Sequence, residues 1–149
     1  MNKLRLISSL MSLPVYWITS LIPKKKNLWI FGAWMGEKYA DNPQALFEYI
    51  NSIDTDVNAV WISKNKDVVR SMQAKGLASY SAYSSEGIKL QMQASLCIFS
   101  HSNAADFFAA TIGRKTKCIN LWHGVPIKKI GFDDKRNERR PLNLSLIHI

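Results

Sequence analysis

NLWIFGAWMGEKYADNPQALFEYI, residues 27–50, holds two different hydrophobic periods joined by a glycine-bearing loop. Residues 27–31 are a short apolar run that stops at Gly32, as a buried strand does. From Pro43 onward Ala45, Leu46, Phe47, Tyr49, Ile50 and Ile53 recur at helical spacing, with Asn42 placed to cap the helix. The same alternation then repeats. Residues 57–63 read as a strand, 64–75 as a helix stopped by Gly76, and 77–81 as a short strand. Residues 84–94 read as a helix with a serine cap, 96–99 as a strand, 103–111 as a short helix, and 117–122 as a fifth strand. Strands alternating with helices of about 10–12 residues predict an α/β fold, a Rossmann-like and mostly parallel sheet with helices on both faces.

A chain of 149 residues buries one modest core, which makes a single domain the expectation. A hydrophobic share of 47% beside 21% charged residues belongs to a globular chain and excludes a disordered one. Cys97 and Cys118 each sit in an apolar, strand-like run without metal-ligand spacing, so both read as reduced core residues of a cytosolic protein. No cofactor and no metal site is expected: no Cys/His cluster occurs, and Gly32-Ala33-Trp34-Met35-Gly36 matches neither the P-loop nor the GxGxxG pattern.

The net charge of +9 lies at the two ends. Residues 1–26 carry five basic and no acidic side chains, residues 27–113 six and eight, and residues 114–149 nine and three. A spread-out basic face with interleaved aromatics is not what this describes, so nucleic acid is not an expected partner. Residues 4–22 are mostly apolar, with Arg5, Ser8, Ser9, Ser12, Thr19 and Ser20 recurring at helical spacing and Ile7, Leu10, Met11, Ile18, Leu21 and Ile22 on the other face. Lys24, Lys25 and Lys26 follow. The segment is serine-rich, broken by Pro14 and shorter than the roughly 20 apolar residues of a membrane span. Residues 1–26 therefore read as an amphipathic helix for an anionic membrane surface, with packing on the same protein as the alternative.

In open α/β sheets ligands gather outside the carboxyl ends of the strands. Three polar or glycine-bearing segments fall there: residues 32–42, residues 100–103, and His123-Gly124 after the fifth strand. His123 is the candidate general base, since a free imidazole titrates near pH 6.5 and is a proton acceptor at cellular pH. Gly124 would let the chain turn tightly beside a substrate. Lys128 could offset phosphate charge, and Gly32, Asp41, His101 and Ser102 are the other candidate substrate contacts. Each has a plainer reading as well: His101 as a hydrogen-bonded loop residue, Lys128 as part of a solvated face.

IPKKKNLWIFGAWMGEKYADNPQALFEYI (residues 22–50), Ile98-Phe99-Ser100-His101-Ser102 and, above all, NLWHGVPIKKIGFD (residues 120–133) resemble the CDP-glycerol glycerophosphotransferase family, which builds teichoic-acid-type and related polymers. The resemblance runs from residue 20 to about 140, and its WHG-x-P-x-K-x-x-G pattern is quite specific. It implies a GT-B-type enzyme of two Rossmann-type domains, of which residues 27–140 would be the acceptor-side half. It implies transfer of glycerol phosphate, or in relatives ribitol phosphate, from a CDP-activated donor to the hydroxyl of a lipid-linked polymer acceptor, with CMP released. In the family the histidine matching His123 is taken as the base that deprotonates this hydroxyl. Members sit at the cytoplasmic face of the membrane, as peripheral proteins. The family's second domain, which holds the donor nucleotide, is expected to be absent from residues 1–149, leaving the chain inactive alone. Residues 141–149 are expected to be a non-native tail, since residues 144–149 resemble a translated sequencing adapter. The alternatives are a non-catalytic Rossmann-like module on a membrane surface, or a fragment of a GT-B glycosyltransferase.

Overall fold

Alternate residues of the first strand are buried in opposite directions, and this sets the layers. In a computed structural model, which describes residues 18–124, strand β1 (Lys25–Phe31) sends Leu28 and Ile30 into one apolar cluster and Trp29 and Phe31 into another. A strand whose two faces are both apolar belongs in the middle of a sheet covered on both sides. β1 lies there: the five strands run β3-β2-β1-β4-β5 and every pairing is parallel.

The other strands are β2 (Asn58–Ser63), β3 (Ser79–Ser81), β4 (Ala94–Phe99) and β5 (Lys117–Asn120). Between them run α1 (Asp41–Ser52), α2 (Lys66–Ala74), α3 (Ser85–Gln93) and the short α4 (Asn103–Asp106), which is followed by a 3-10 turn at Ala109–Thr111. Phe47 and Ile50 of α1 and Met72 of α2 cover one face of the sheet, where Phe47 meets Phe31 and Trp61 edge-on at 5.3 and 5.7 Å. Leu90 of α3, with Phe107 and Ile112, covers the other. The expected α/β fold is therefore present, and the switch in strand order falls between β1 and β4.

Boundaries differ from the sequence expectation where backbone geometry intervenes. The expected helix over residues 103–111 is two pieces, because Phe107 is extended (φ −121°, ψ −178°) and ends the first turn. The fifth strand stops at Asn120, two residues early, since Trp122 adopts a φ of +63° that no strand accommodates. Ser84 caps α3 as expected, accepting from the Gly87 amide at 3.1 Å. Residues 18–21 are helical, while residues 1–17 of the amphipathic segment, Lys128 and residues 141–149 lie outside the described residues. No helix among the described residues is long and apolar enough to cross a membrane.

Gly87 marks the tightest joint. A Cβ there would lie 1.9 Å from the carbonyl oxygen of Ser81, a backbone atom with no rotamer to escape into. Gly87→Ala is expected to cost about 1–3 kcal/mol by overpacking. Urea unfolding would show it as a lower midpoint; an unchanged midpoint would mean that α3 yields without cost.

Candidate functional site

The carboxyl ends of β1, β4 and β5 are adjacent, so the loops after them meet at the switch in strand order, the place where open α/β sheets bind ligands. His101 follows β4 and His123 follows β5. Their rings stack, with centroids 4.4 Å apart and planes 7° from parallel. Trp122 stacks on the far side of His123 at 4.6 Å, and Trp34, from the loop after β1, tilts against His101 at 5.6 Å and His123 at 6.4 Å. Lys38 Nζ lies 4.3 Å from the Trp34 ring centroid, in cation–π contact.

The hydrogen bonds assign the protons. His123 Nδ1 lies 3.2 Å from the carbonyl oxygen of Ser100, which can only accept. Nδ1 therefore carries the proton and donates it, leaving Nε2 with its lone pair free. Ser100 Oγ accepts from the Trp34 amide at 3.1 Å, so its own proton can go to His101 Nδ1, 2.9 Å away. One serine thus organises both imidazoles, through its carbonyl and through its hydroxyl.

Beneath them lies a carboxylate. Asp106 is fully buried, and it accepts from the amides of Met35 at 2.6 Å, Ser100 at 3.2 Å and His101 at 2.8 Å. It ties the loop after β1 to the end of β4. Met35 and Trp34 need such a tie, because both hold positive φ (+58° and +50°). The other non-glycine residues with positive φ among the described residues are Asp41, which opens α1, and Trp122. Such strain costs of order 1–3 kcal/mol per residue and gathers at functional sites. Here all of it lies in the loops after β1 and β5.

Asn120 and Asn42 hold the last segment in place. Asn120 Oδ1 accepts from the Trp122 amide at 2.9 Å, and its Nδ2 donates to the His101 carbonyl at 3.2 Å. Asn42 does not cap α1 as its sequence position suggests. Ala40 occupies the cap without any side-chain bond, and Asn42 lies inside the helix, where its Nδ2 donates to the Leu121 carbonyl at 2.8 Å. The reason is topological: β5 is an edge strand, so carbonyls beyond its end have no strand partner and accept an amide from the facing helix. Asn42→Ala is expected to cost only about 1 kcal/mol of stability. It should nonetheless move the His123 ring proton signals in an NMR spectrum toward those of an unstacked imidazole. If those signals stay in place, the strap does not hold the ring.

The other sequence candidates are less central. Gly32 ends β1, and a Cβ there would lie 2.9 Å from the Phe107 ring, so close packing explains the glycine. Ser102 caps α4, its Oγ accepting from the Ala105 amide at 3.0 Å. Asp41 keeps Oδ2 buried, with no hydrogen-bond partner among the described residues. Gly124 is exposed at φ +127°, a conformation L residues rarely adopt, in keeping with a turn there. Ser100, Asp106, Trp34 and Asn120 escaped the sequence reading. Asp106 lies in a stretch read as plain helix, and nothing local distinguishes it from a solvated acid.

Away from the rim, Cys97 and Cys118 are both free thiols, in register across β4 and β5 with their sulfurs 2.9 Å apart. The hydrogen bond from Cys97 pulls the Cys118 thiol below its ordinary range, and the same contact together with burial pushes Cys97 up.

Among known proteins, residues 15–145 match the family described as CDP-Glycerol:Poly(glycerophosphate) glycerophosphotransferase. A teichoic acid glycerol-phosphate transferase of Staphylococcus aureus is 29% identical over 129 residues, covering 85% of this chain and 32% of that protein. A teichoic acid poly(glycerol phosphate) polymerase of Bacillus spizizenii is 27% identical over 123 residues, covering 80% and 30%. The chain thus spans about a third of the length of these relatives. The solved structure of the wall teichoic acid polymerase TagF superposes with a TM-score of 0.58 at 19% identity, covering 92% of this chain and 30% of that one. A TagF variant soaked with CDPG superposes at 0.52 with 17% identity, covering 83% and 31%. With the family match spanning most of its length, this chain belongs to the CDP-glycerol:poly(glycerophosphate) glycerophosphotransferase family.

Proposed function

We propose that the His123 rim is the acceptor-activating side of a glycerophosphotransferase site, and that the fold around it is one half of a GT-B-type pair. One observation carries the reading. His123 spends its Nδ1 proton on the Ser100 carbonyl and so presents an unprotonated Nε2 at the switch in strand order. In this reading Nε2 takes the proton of an acceptor hydroxyl. The resulting oxygen attacks the phosphorus that bears the glycerol of a CDP-glycerol donor. The bond to CMP breaks, and CMP leaves with the electron pair.

His101 and Trp34 wall the acceptor, Gly124 opens the turn, and Asp41 meets polar substrate groups. Gly32 and Ser102 shape the rim through the backbone, and Lys128 offsets phosphate charge. The donor nucleotide is held by a separate stretch, in keeping with a chain that spans about a third of its relatives. The acceptor is a lipid-linked teichoic-acid-type polymer. Residues 1–26 hold the protein on the anionic cytoplasmic face of the membrane as an amphipathic helix. A full-length parent incubated with CDP-glycerol and a glycerol-phosphate-primed acceptor should release CMP in step with acceptor lengthening. Release of a nucleoside diphosphate from a nucleotide-sugar, with none from CDP-glycerol, would instead identify a glycosyltransferase.

A further inference from the structure

The described end of the N-terminal helix docks with its polar side inward. Thr19 is fully buried and donates from Oγ1 to the Ala110 carbonyl at 3.2 Å, and Gly113 packs against Thr19 so closely that a Cβ would meet it at 3.0 Å. Ser20 Oγ lies 3.5 Å from the Arg114 amide. Their apolar neighbours face outward, with Ile18 57% and Leu21 80% exposed. An amphipathic turn that packs on its own protein buries its apolar side. This one does the reverse.

Cations surround the exposed pair. Arg114 and Lys115 follow Gly113, Lys117 opens β5, and Lys25 and Lys26 open β1; all five are exposed. The register brings them together. Lys25 pairs with Ala94 at the start of β4, and Lys117 pairs with Leu96 two residues later in that strand. Lys24 takes no part, since its Nζ donates to the Met92 carbonyl at 2.6 Å. Burial, and next the charge of Lys115, hold its pKa below the ordinary lysine range. The acidic residues at this edge, Asp54 and Asp56, precede β2 on the other side of β1, so the β1–β4–β5 side is positive throughout.

We infer that this amino-terminal edge of the sheet, with Ile18 and Leu21 outward and Arg114, Lys115 and Lys117 beside them, rests on an anionic lipid bilayer. Exposed aliphatic side chains ringed by lysine and arginine match the acyl boundary and the phosphate layer together, whereas a polyanion without an apolar layer leaves Ile18 and Leu21 unused. The inference rests on the membrane part of the proposed function and adds an orientation. The lipid-facing surface includes a segment remote in sequence from residues 1–26. The histidine pair then stands at the opposite end of the strands, about 20 Å from the bilayer and open toward soluble donor.

The test is sedimentation of the full chain with phosphatidylcholine vesicles, with and without phosphatidylglycerol. The unaltered chain should bind only the anionic vesicles. The triple variant R114E, K115E, K117E should lose on the order of 100-fold in partitioning, since each cation near such a surface counts. Leu21→Ser should weaken binding without changing its salt dependence. Circular dichroism confirms that each variant is folded. Undiminished binding of the folded triple variant overturns the assigned surface while leaving the N-terminal anchor standing. No binding by the unaltered chain overturns both, as does capture by heparin or RNA in place of vesicles.

Discussion

His123→Ala in a full-length parent is expected to lower glycerophosphate transfer by about 10²- to 10⁴-fold, chiefly in kcat. The ring is placed by one bond to its own chain, Nδ1 to the Ser100 carbonyl, and by stacking between His101 and Trp122. Removing it takes away the free Nε2 but leaves Ser100, Asp106 and Asn120 bonded among themselves, so the fold should persist. His123→Gln separates shape from chemistry, because an amide can still reach the Ser100 carbonyl yet cannot take a proton. Both variants should therefore be slow, with KM for the donor little changed. Initial-rate measurement of CMP release decides it. A glutamine variant at near-normal kcat would remove the general-base role from His123.

Asp106 should matter more to the fold than any other residue of the rim. Asp106→Ala leaves the amides of Met35, Ser100 and His101 without an acceptor in a buried place. Each orphaned donor costs about 1–3 kcal/mol, so a loss of about 3–6 kcal/mol is expected against a total stability of about 5–15 kcal/mol. Asp106→Asn keeps the shape and one oxygen, and should lose less than half as much. Both values come from urea denaturation of this chain. Because the carboxylate holds the Trp34–Met35 loop at positive φ, the asparagine variant should also change Trp34 fluorescence while still folded. An alanine variant within about 0.5 kcal/mol of the unaltered chain would mean that water or rearranged backbone meets those amides without cost.

The layers could be read from residues 27–50 because period is a local property. A run apolar on both faces has to be a central strand, and the glycine and proline around it can only be punctuation. His123 and Gly124 could be read for a similar reason: a titratable ring directly after a strand must lie at a strand end. The match to a specific motif came from local residues as well. Asn42 shows the limit. Its sequence position suits a cap, but its amide bonds the end of β5, 79 residues away. A local rule has no access to an edge strand's empty carbonyls.

Residue order alone determined an α/β sheet, the family, and a histidine at a strand's carboxyl end. Tertiary structure decided which histidine faces which, where each imidazole proton lies, and that the acid at position 106 is a buried anchor rather than a solvated charge. It also decided that Thr19 faces in while Leu21 faces out. These are relations between segments far apart in the chain. They depend on the order in which strands pair, and the switch between β1 and β4 brings together loops that no local period connects.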